Sequence, residues 1–185
     1  FSRDLYDHPE LGYREFRSVE AFASELEAAG IAIERGTGGI PTAFTAQLGT
    51  RGSGPQAAIT AEYDALPGVG HGCGHNVIAA SALGAFLALA PLFEARDGGA
   101  PLPGGVTLIG TPAEEGGGGK ELMAREGAFE GVDAAIMVHP FGYDVGAPVF
   151  LGRRQLRATF HGIASHASAQ PFMGRNALDA VHLTY

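Results

Sequence analysis

The residues best suited to chemistry sit in His71-Gly-Cys73-Gly-His75-Asn76, which holds the only cysteine and two of the seven histidines of a 185-residue chain. Thiolate and imidazole are the donors that borderline-soft divalent ions such as zinc prefer. The intervening glycines let the backbone fold sharply enough to aim both side chains at one point. A lone cysteine also reads as a small core hydrophobe, so the motif alone leaves both readings open.

Three further features carry chemistry. Adjacent carboxylates stand in Pro112-Ala-Glu114-Glu115-Gly116. Consecutive loop side chains normally point apart, so one can ligate a metal while the other acts as a general base toward a water. A solvated acidic pair at a helix N-terminus is the other reading. His139 follows Val138 and reads either as a ligand or as a satisfied core histidine. Asp64, in Glu62-Tyr-Asp64-Ala-Leu-Pro67, either orients a ligand histidine or begins a turn. The glycine run after Glu115 lacks the Gly-Lys-Ser/Thr ending of a phosphate loop.

These residues need elements to hold them. Helical spacing runs from an expected N-cap at Ser18 through Val19, Phe22, Ala23 and Leu26 to a stop at Gly30. Strands are expected over Ile31–Glu34, Thr42–Leu48, Ala57–Ala61, Gly105–Thr111 and Val132–Val138. Helices are expected from Asn76 to near Arg96 and over Lys120–Glu126, with a loop over 97–105. The alternation predicts an α/β fold, a sheet covered by helices on both faces. Asp64 to His75, Glu114-Glu115 and His139 then all follow predicted strands, at the edge where open α/β sheets bind ligands. From Arg153 the texture changes: Gln155–Gly162 alternates as an antiparallel strand with one wet face would, and a helix starts at Asn176. The expected domains are therefore 1–152 and 153–185.

Composition narrows the function. The chain is 45% hydrophobic and 17% charged, with a net charge of −8 and a single lysine, Lys120, among 12 basic residues. That is globular, with no basic patch for nucleic acid. The Ala-rich segment Val77–Phe93 falls short of the ~20 residues of a membrane span and reads as a buried helix. One cysteine excludes an internal disulfide and fits a reducing, cytoplasmic setting. No signal peptide is read at Phe1-Ser-Arg-Asp4, and both ends read as cut, so the chain is expected to be a piece of a longer protein.

Three stretches together, Glu62 to Asn76, Thr111 to Gly119 and Ala164-Ser-His166-Ala-Ser-Ala-Gln-Pro171, resemble the M20 metallopeptidase/amidohydrolase family. The subgroup is the one with a cysteine ligand, in the branch of peptidase M20 domain-containing protein 2 and aminobenzoyl-glutamate hydrolase. The resemblance implies a zinc-peptidase-like sheet followed by the start of an α+β, ferredoxin-like lid and dimerisation domain. It implies Cys73, His75, Glu115 and His139 as metal ligands, Glu114 as general base and Asp64 as the acidic residue beside the metal. His166 matches a histidine that the lid extends toward a neighbouring protomer's site, and Asn176 a structural helix start. It also implies one or two divalent ions, Zn or Mn, with Co and Ni also fitting, and a small amide or dipeptide substrate. Family members are about twice this length and take a further histidine ligand from a C-terminal part, so the isolated piece is expected to be inactive. Two other readings remain: a non-catalytic homologue that binds or regulates through the same pocket, and a Cys73–His75 thiol hydrolase. The second suits the Gly loop poorly, because no third group orients the pair.

Overall fold

A computed structural model describes residues 1–94 and 100–185. It divides into two compact units, Phe1–Tyr143 and Asp144–Tyr185, a division that falls ahead of the expected Gly152 boundary.

The first unit contains α1 (Ser2–Asp7), α2 (Phe16–Ala28), β1 (Ile33–Arg35), β2 (Phe44–Gly49), β3 (Gln56–Ala61), α3 (His75–Leu89), β4 (Gly105–Gly110), α4 (Gly119–Arg125) and β5 (Ala134–Ile136). The strands form one sheet in the order β1-β2-β4-β3-β5. β1 and β2 run antiparallel to their neighbours, while β3, β4 and β5 are mutually parallel. β3–α3–β4 is thus a parallel crossover, the connection a helix normally supplies.

Alternation along the strands divides the core in two. Ile59, Ala61, Val106 and Leu108 face one side and pack with Phe22, Leu26, Leu83 and Phe86 of α2 and α3. Ala58 and Ile109 face the other and pack with Met123 of α4. Helices therefore cover both faces, as the sequence pattern predicts. Phe22 centres the larger cluster, with ring centroids 4.7 Å from Phe44 and 5.5 Å from Tyr63. Gly110 is required there, since a Cβ on it would lie 2.1 Å from the Phe44 ring. Phe22→Ala is expected to cost about 3–5 kcal/mol, the usual penalty for emptying an aromatic core position, read by urea denaturation.

Helix α2 begins two residues before the expected Ser18 cap. The reason is Glu10, whose carboxylate accepts from the Arg17 and Ser18 amides at 3.0 and 2.8 Å and from Ser18 Oγ at 2.9 Å. A side chain from outside the helix thus satisfies free N–H groups of the first turn, ahead of where a Ser18 cap would place them. At the other end Gly30 has φ 75°, with Gly30 N donating to Glu27 O and Ile31 N to Leu26 O, a Schellman close.

α3 continues into a 3₁₀ turn, Ala90–Phe93. The expected end near Arg96 lies outside the described residues, as does part of the loop expected over 97–105. By length and composition the 19 residues His75–Phe93 could cross a membrane, with mean hydropathy 1.9. Ile78, Ala79, Ala82, Leu83 and Phe86 on one face of the helix are nevertheless buried.

In the second unit, the expected strand Gln155–Gly162 does not form. Its residues are exposed, Leu156 at 91%, and the described residues offer that stretch no neighbouring strand. Alternation marks a stretch able to pair, but its N–H and C=O groups still need a partner. One β-bridge joins Ile163 to Arg175. The expected helix does form, as α5 (Ala177–Thr184), with Asn176 Oδ1 accepting from the Leu178 amide at 3.1 Å.

Candidate metal centre

The parallel strands β3, β4 and β5 end on one edge, and the chemistry-bearing residues follow directly. Glu62 and Asp64 follow β3, Glu114 and Glu115 follow β4, and His139 follows β5. Cys73 lies in the loop entering α3, and His75 is the first residue of that helix. Gly74, at φ 83°, lets the two loops meet: a Cβ there would lie 2.9 Å from Pro140 Cγ.

Two side chains from an earlier part of the chain fix the Glu114-Glu115 loop in place. Glu15 Oε1 accepts from the Ala113 amide at 2.8 Å, and Tyr13 Oη donates to Gly117 O at 2.6 Å. Tyr13 and Ala113 both hold positive φ, 64° and 56°. Such left-handed backbone costs about 1–3 kcal/mol per residue and persists only where surrounding contacts enforce it.

His75 is fully buried and sits at the centre. Its Nδ1 lies 2.9 Å from Asp64 O and 3.0 Å from Asp64 Oδ1. Asp64 thus accepts the Nδ1–H hydrogen bond, keeping the proton on Nδ1 and leaving Nε2 as a lone-pair donor. Nε2 is buried without a hydrogen-bond partner among the described residues. Around it lie Glu62 Oε2 at 3.3 Å, Glu114 Oε2 at 3.7 Å and Glu115 Oε1 at 3.8 Å. His139 is oriented in the same manner: its Nδ1 donates to Pro140 O at 2.6 Å, which turns Nε2 toward Cys73 Sγ at 3.7 Å. Two groups of donors form, Cys73/His75/His139 and Glu62/His75/Glu114, with all donor atoms in each within 4.8 Å of one another.

Electrostatics describe the same place. Burial pushes the Cys73 thiol up to about 11, aided by the carboxylates of Glu115, Glu114 and Glu62. Burial and the neighbouring Glu62 raise Glu114, against the pull of Lys120. For Asp64, burial is outweighed by the His75 and Glu115 hydrogen bonds, and its pKa falls. For His75, burial is outweighed by the Asp64 hydrogen bond and the Glu62 carboxylate, and its pKa rises. Anionic groups packed this closely around an unpartnered imidazole nitrogen fit a divalent cation. The sulfur, nitrogen and oxygen donors are those of zinc and its neighbours.

A pH dependence follows. Ligands bind in their deprotonated forms, so metal uptake competes with protons. The thiol releases one proton per ion throughout the neutral range. Because His75 is raised, its proton adds to the competition already above its ordinary value near ~6.5. Affinity is therefore expected to rise with pH by about tenfold per unit at the alkaline end and more steeply below the His75 titration, read by chelator competition.

The sequence-predicted residues Cys73, His75, Asp64, Glu114, Glu115 and His139 thus come together in the first unit. His166 belongs to the second unit, where its Nδ1 accepts from the Ser168 and Ala169 amides at 3.3 and 3.2 Å. His71 is buried, which lowers its pKa and keeps it uncharged, and it joins neither donor group. Asn76 donates to Ser2 Oγ at 3.1 Å and ties α3 to α1. Sequence reasoning missed Glu62 and its partner Lys120. The available signals were a second carboxylate two residues before Asp64 and the solitary lysine after the glycine run.

Comparisons with known proteins bear on the family and the fold. Residues 58–173 match the Peptidase family M20/M25/M40 model. A p-aminobenzoyl-glutamate hydrolase chain of Escherichia coli is 41% identical over 97% of this chain and 40% of its own length. The Xaa-Arg dipeptidase of Mus musculus is 41% identical over 100% of this chain and 44% of its own. The chain thus spans about two-fifths of the length of these curated relatives. Among solved structures, the YXEP protein of Bacillus subtilis, a dinuclear metal binding peptidase from the M20 family, aligns with TM-score 0.63 and 31% identity over 72% of this chain and 40% of that one. An aminobenzoyl-glutamate utilization protein from Klebsiella pneumoniae shares the fold, with TM-score 0.67 and 24% identity over 98% of this chain and 54% of that one. With a family model matching residues 58–173, most of its length, this chain belongs to the M20 peptidase family.

Proposed function

We propose that this chain carries the metal-binding half of a hydrolase that cleaves the amide bond of N-acyl amino acids, aminobenzoyl-glutamate-like amides or dipeptides. The observation that carries the reading is the convergence of Cys73 Sγ, His75 Nε2 and His139 Nε2, with the Glu114 carboxylate 3.7 Å from the same imidazole nitrogen. The named relatives support the substrate class, since they are an aminobenzoyl-glutamate hydrolase and a dipeptidase.

Cys73, His75, Glu115 and His139 would hold the cation, zinc or manganese, with cobalt and nickel also suited to the donor set. A bound divalent ion supplies Lewis acidity toward the scissile carbonyl and toward a water. Glu114 takes the proton from that water and returns it to the leaving amine. Its raised pKa suits it to both halves of the transfer, because a base works best with a pKa near the operating pH. Asp64 keeps His75 in the tautomer that faces the site. His166 is read as a donor to the developing oxyanion. Its Nδ1 accepts backbone N–H groups, so the proton of the neutral ring sits on Nε2, ready to donate. In this reading the second unit begins a lid through which the full-length protein pairs with a second copy.

The test is hydrolysis by the full-length protein of p-aminobenzoyl-glutamate, a set of N-acyl amino acids and a set of dipeptides, before and after chelation. Turnover that chelation removes and metal restores is expected. Absence of turnover on every substrate by the metal-loaded protein would favour the non-catalytic binding module.

A further inference from the structure

We propose that Glu62 is an additional carboxylate ligand of the cation held at His75, and that Lys120 is the positioning residue that sets its orientation. This rests on the metal-centre reading above. It adds a ligand to the set that the sequence resemblance implies.

Glu62 is 2% exposed, so its charge must be met inside the protein. One oxygen, Oε1, accepts from Lys120 Nζ. The other, Oε2, is buried with no hydrogen-bond partner among the described residues. It lies 3.3 Å from His75 Nε2, which is also buried and also without one. The distance would allow a hydrogen bond, but the two atoms do not point at each other. Two ligands bonded at about 2.0–2.1 Å in a tetrahedral arrangement lie about 3.4 Å apart, so the observed separation is the edge of a coordination polyhedron. A carboxylate oxygen and an imidazole nitrogen buried this close together and not hydrogen-bonded to each other cost free energy that a shared cation would offset.

Lys120 is the chain's one lysine and the second residue of α4. Its bond to Glu62 joins the end of β3 to the start of a helix 58 positions later. By holding Oε1, it leaves Oε2 as the single oxygen free to bind, which makes the carboxylate monodentate. It also supplies a fixed positive charge in a cluster that holds Glu62, Asp64, Glu114, Glu115 and Cys73. Glu114 Oε2 lies farther from the imidazole nitrogen than Glu62 Oε2 does, at 3.7 Å against 3.3 Å. With a carboxylate donated from the residue after β3, Glu114 is not needed as a ligand and stays available as a base.

Cobalt(II) titration of the full-length protein tests this, with affinity read by chelator competition and coordination by the visible d–d spectrum. Glu62→Gln is expected to weaken cobalt binding by more than about tenfold and to change the d–d bands, since an anionic oxygen is lost from the coordination sphere. Lys120→Met is expected to weaken binding by about tenfold, and Lys120→Arg to restore most of it. Wild-type affinity together with an unchanged spectrum in Glu62→Gln would overturn the proposal. Circular dichroism shows whether that variant folds. If it does not, the paired Glu62→Met/Lys120→Met replacement removes both charges of the pair and leaves no uncompensated charge on the buried side. That variant is expected to fold and to show the same loss, and full cobalt affinity in it would equally overturn the proposal. Cys73→Ser separates the two readings. If the wild type takes up no cobalt, the metal-centre reading itself fails. If Cys73→Ser loses cobalt and Glu62→Gln does not, only the role of Glu62 falls.

Discussion

Replacing Glu114 by Gln in the full-length protein is expected to lower kcat by about 10²–10⁴-fold, the range of general-base catalysis, while metal content stays unchanged. The two effects separate because of where Glu114 stands. Its side chain is 44% exposed and Oε2 is 3.7 Å from His75 Nε2, whereas Glu115 beside it is 18% exposed and its amide is pinned to Asp64 Oδ2 at 2.9 Å. The Glu115 backbone is held and its side chain is the more buried of the two, while Glu114 is the more open to solvent. Glutamine keeps the shape and removes the proton acceptor. Steady-state kinetics with metal analysis on the same sample reads both. A variant that keeps wild-type turnover would remove Glu114 from the mechanism. One that loses its metal would make it a ligand.

Asp64→Asn is the second large effect, expected on metal affinity at about 100-fold. Asp64 is buried and both of its oxygens are committed, Oδ1 to His75 Nδ1 at 3.0 Å and Oδ2 to the Glu115 amide at 2.9 Å. Asparagine has one acceptor oxygen, so one donor, His75 or Glu115, must meet an NH₂ group instead. Either outcome misplaces a proposed ligand. The same residue gives a stability signature in the metal-free protein. Its folded pKa is depressed, so its contribution is present above the unfolded value near ~3.9 and is lost as pH falls through the folded one. The wild type is therefore expected to melt above Asp64→Asn at neutral pH, with the gap closing on acidification below about pH 4. A gap that persists in acid would place the defect in packing rather than in the carboxylate.

The sequence is legible where local pattern and tertiary need coincide. Phe22, Ala23 and Leu26 recur at helical spacing and are buried on that face, so α2 can be read without a structure. Ala57–Ala61 and Gly105–Gly110 are continuous small and apolar runs because the paired strands β3 and β4 lie between two helical layers. What the sequence hides is contact across distance. The cap on α2 is Glu10, outside the helix, so the Ser18 signal is real in composition but displaced in space. Gln155–Gly162 alternates as a strand would, yet alternation says nothing about whether a partner lies alongside.

The candidate site divides the same way. Cys73 and His75 stand two residues apart, and Glu114 and Glu115 are adjacent, so pattern alone marks them. The tautomer of His75 depends on Asp64, eleven residues earlier, and on that aspartate's second bond to Glu115. Glu62 carries little local signal of its own, and its place in the site shows only when Lys120, far along the chain, is seen against it.

The central claim is that a sulfur and two imidazoles share a cation. X-ray absorption at the metal edge of the metal-loaded full-length protein tests it directly. The arrangement predicts one sulfur scatterer at about 2.3 Å among nitrogen and oxygen neighbours, and its disappearance in Cys73→Ser. A first shell of nitrogen and oxygen alone in the wild-type protein would contradict it.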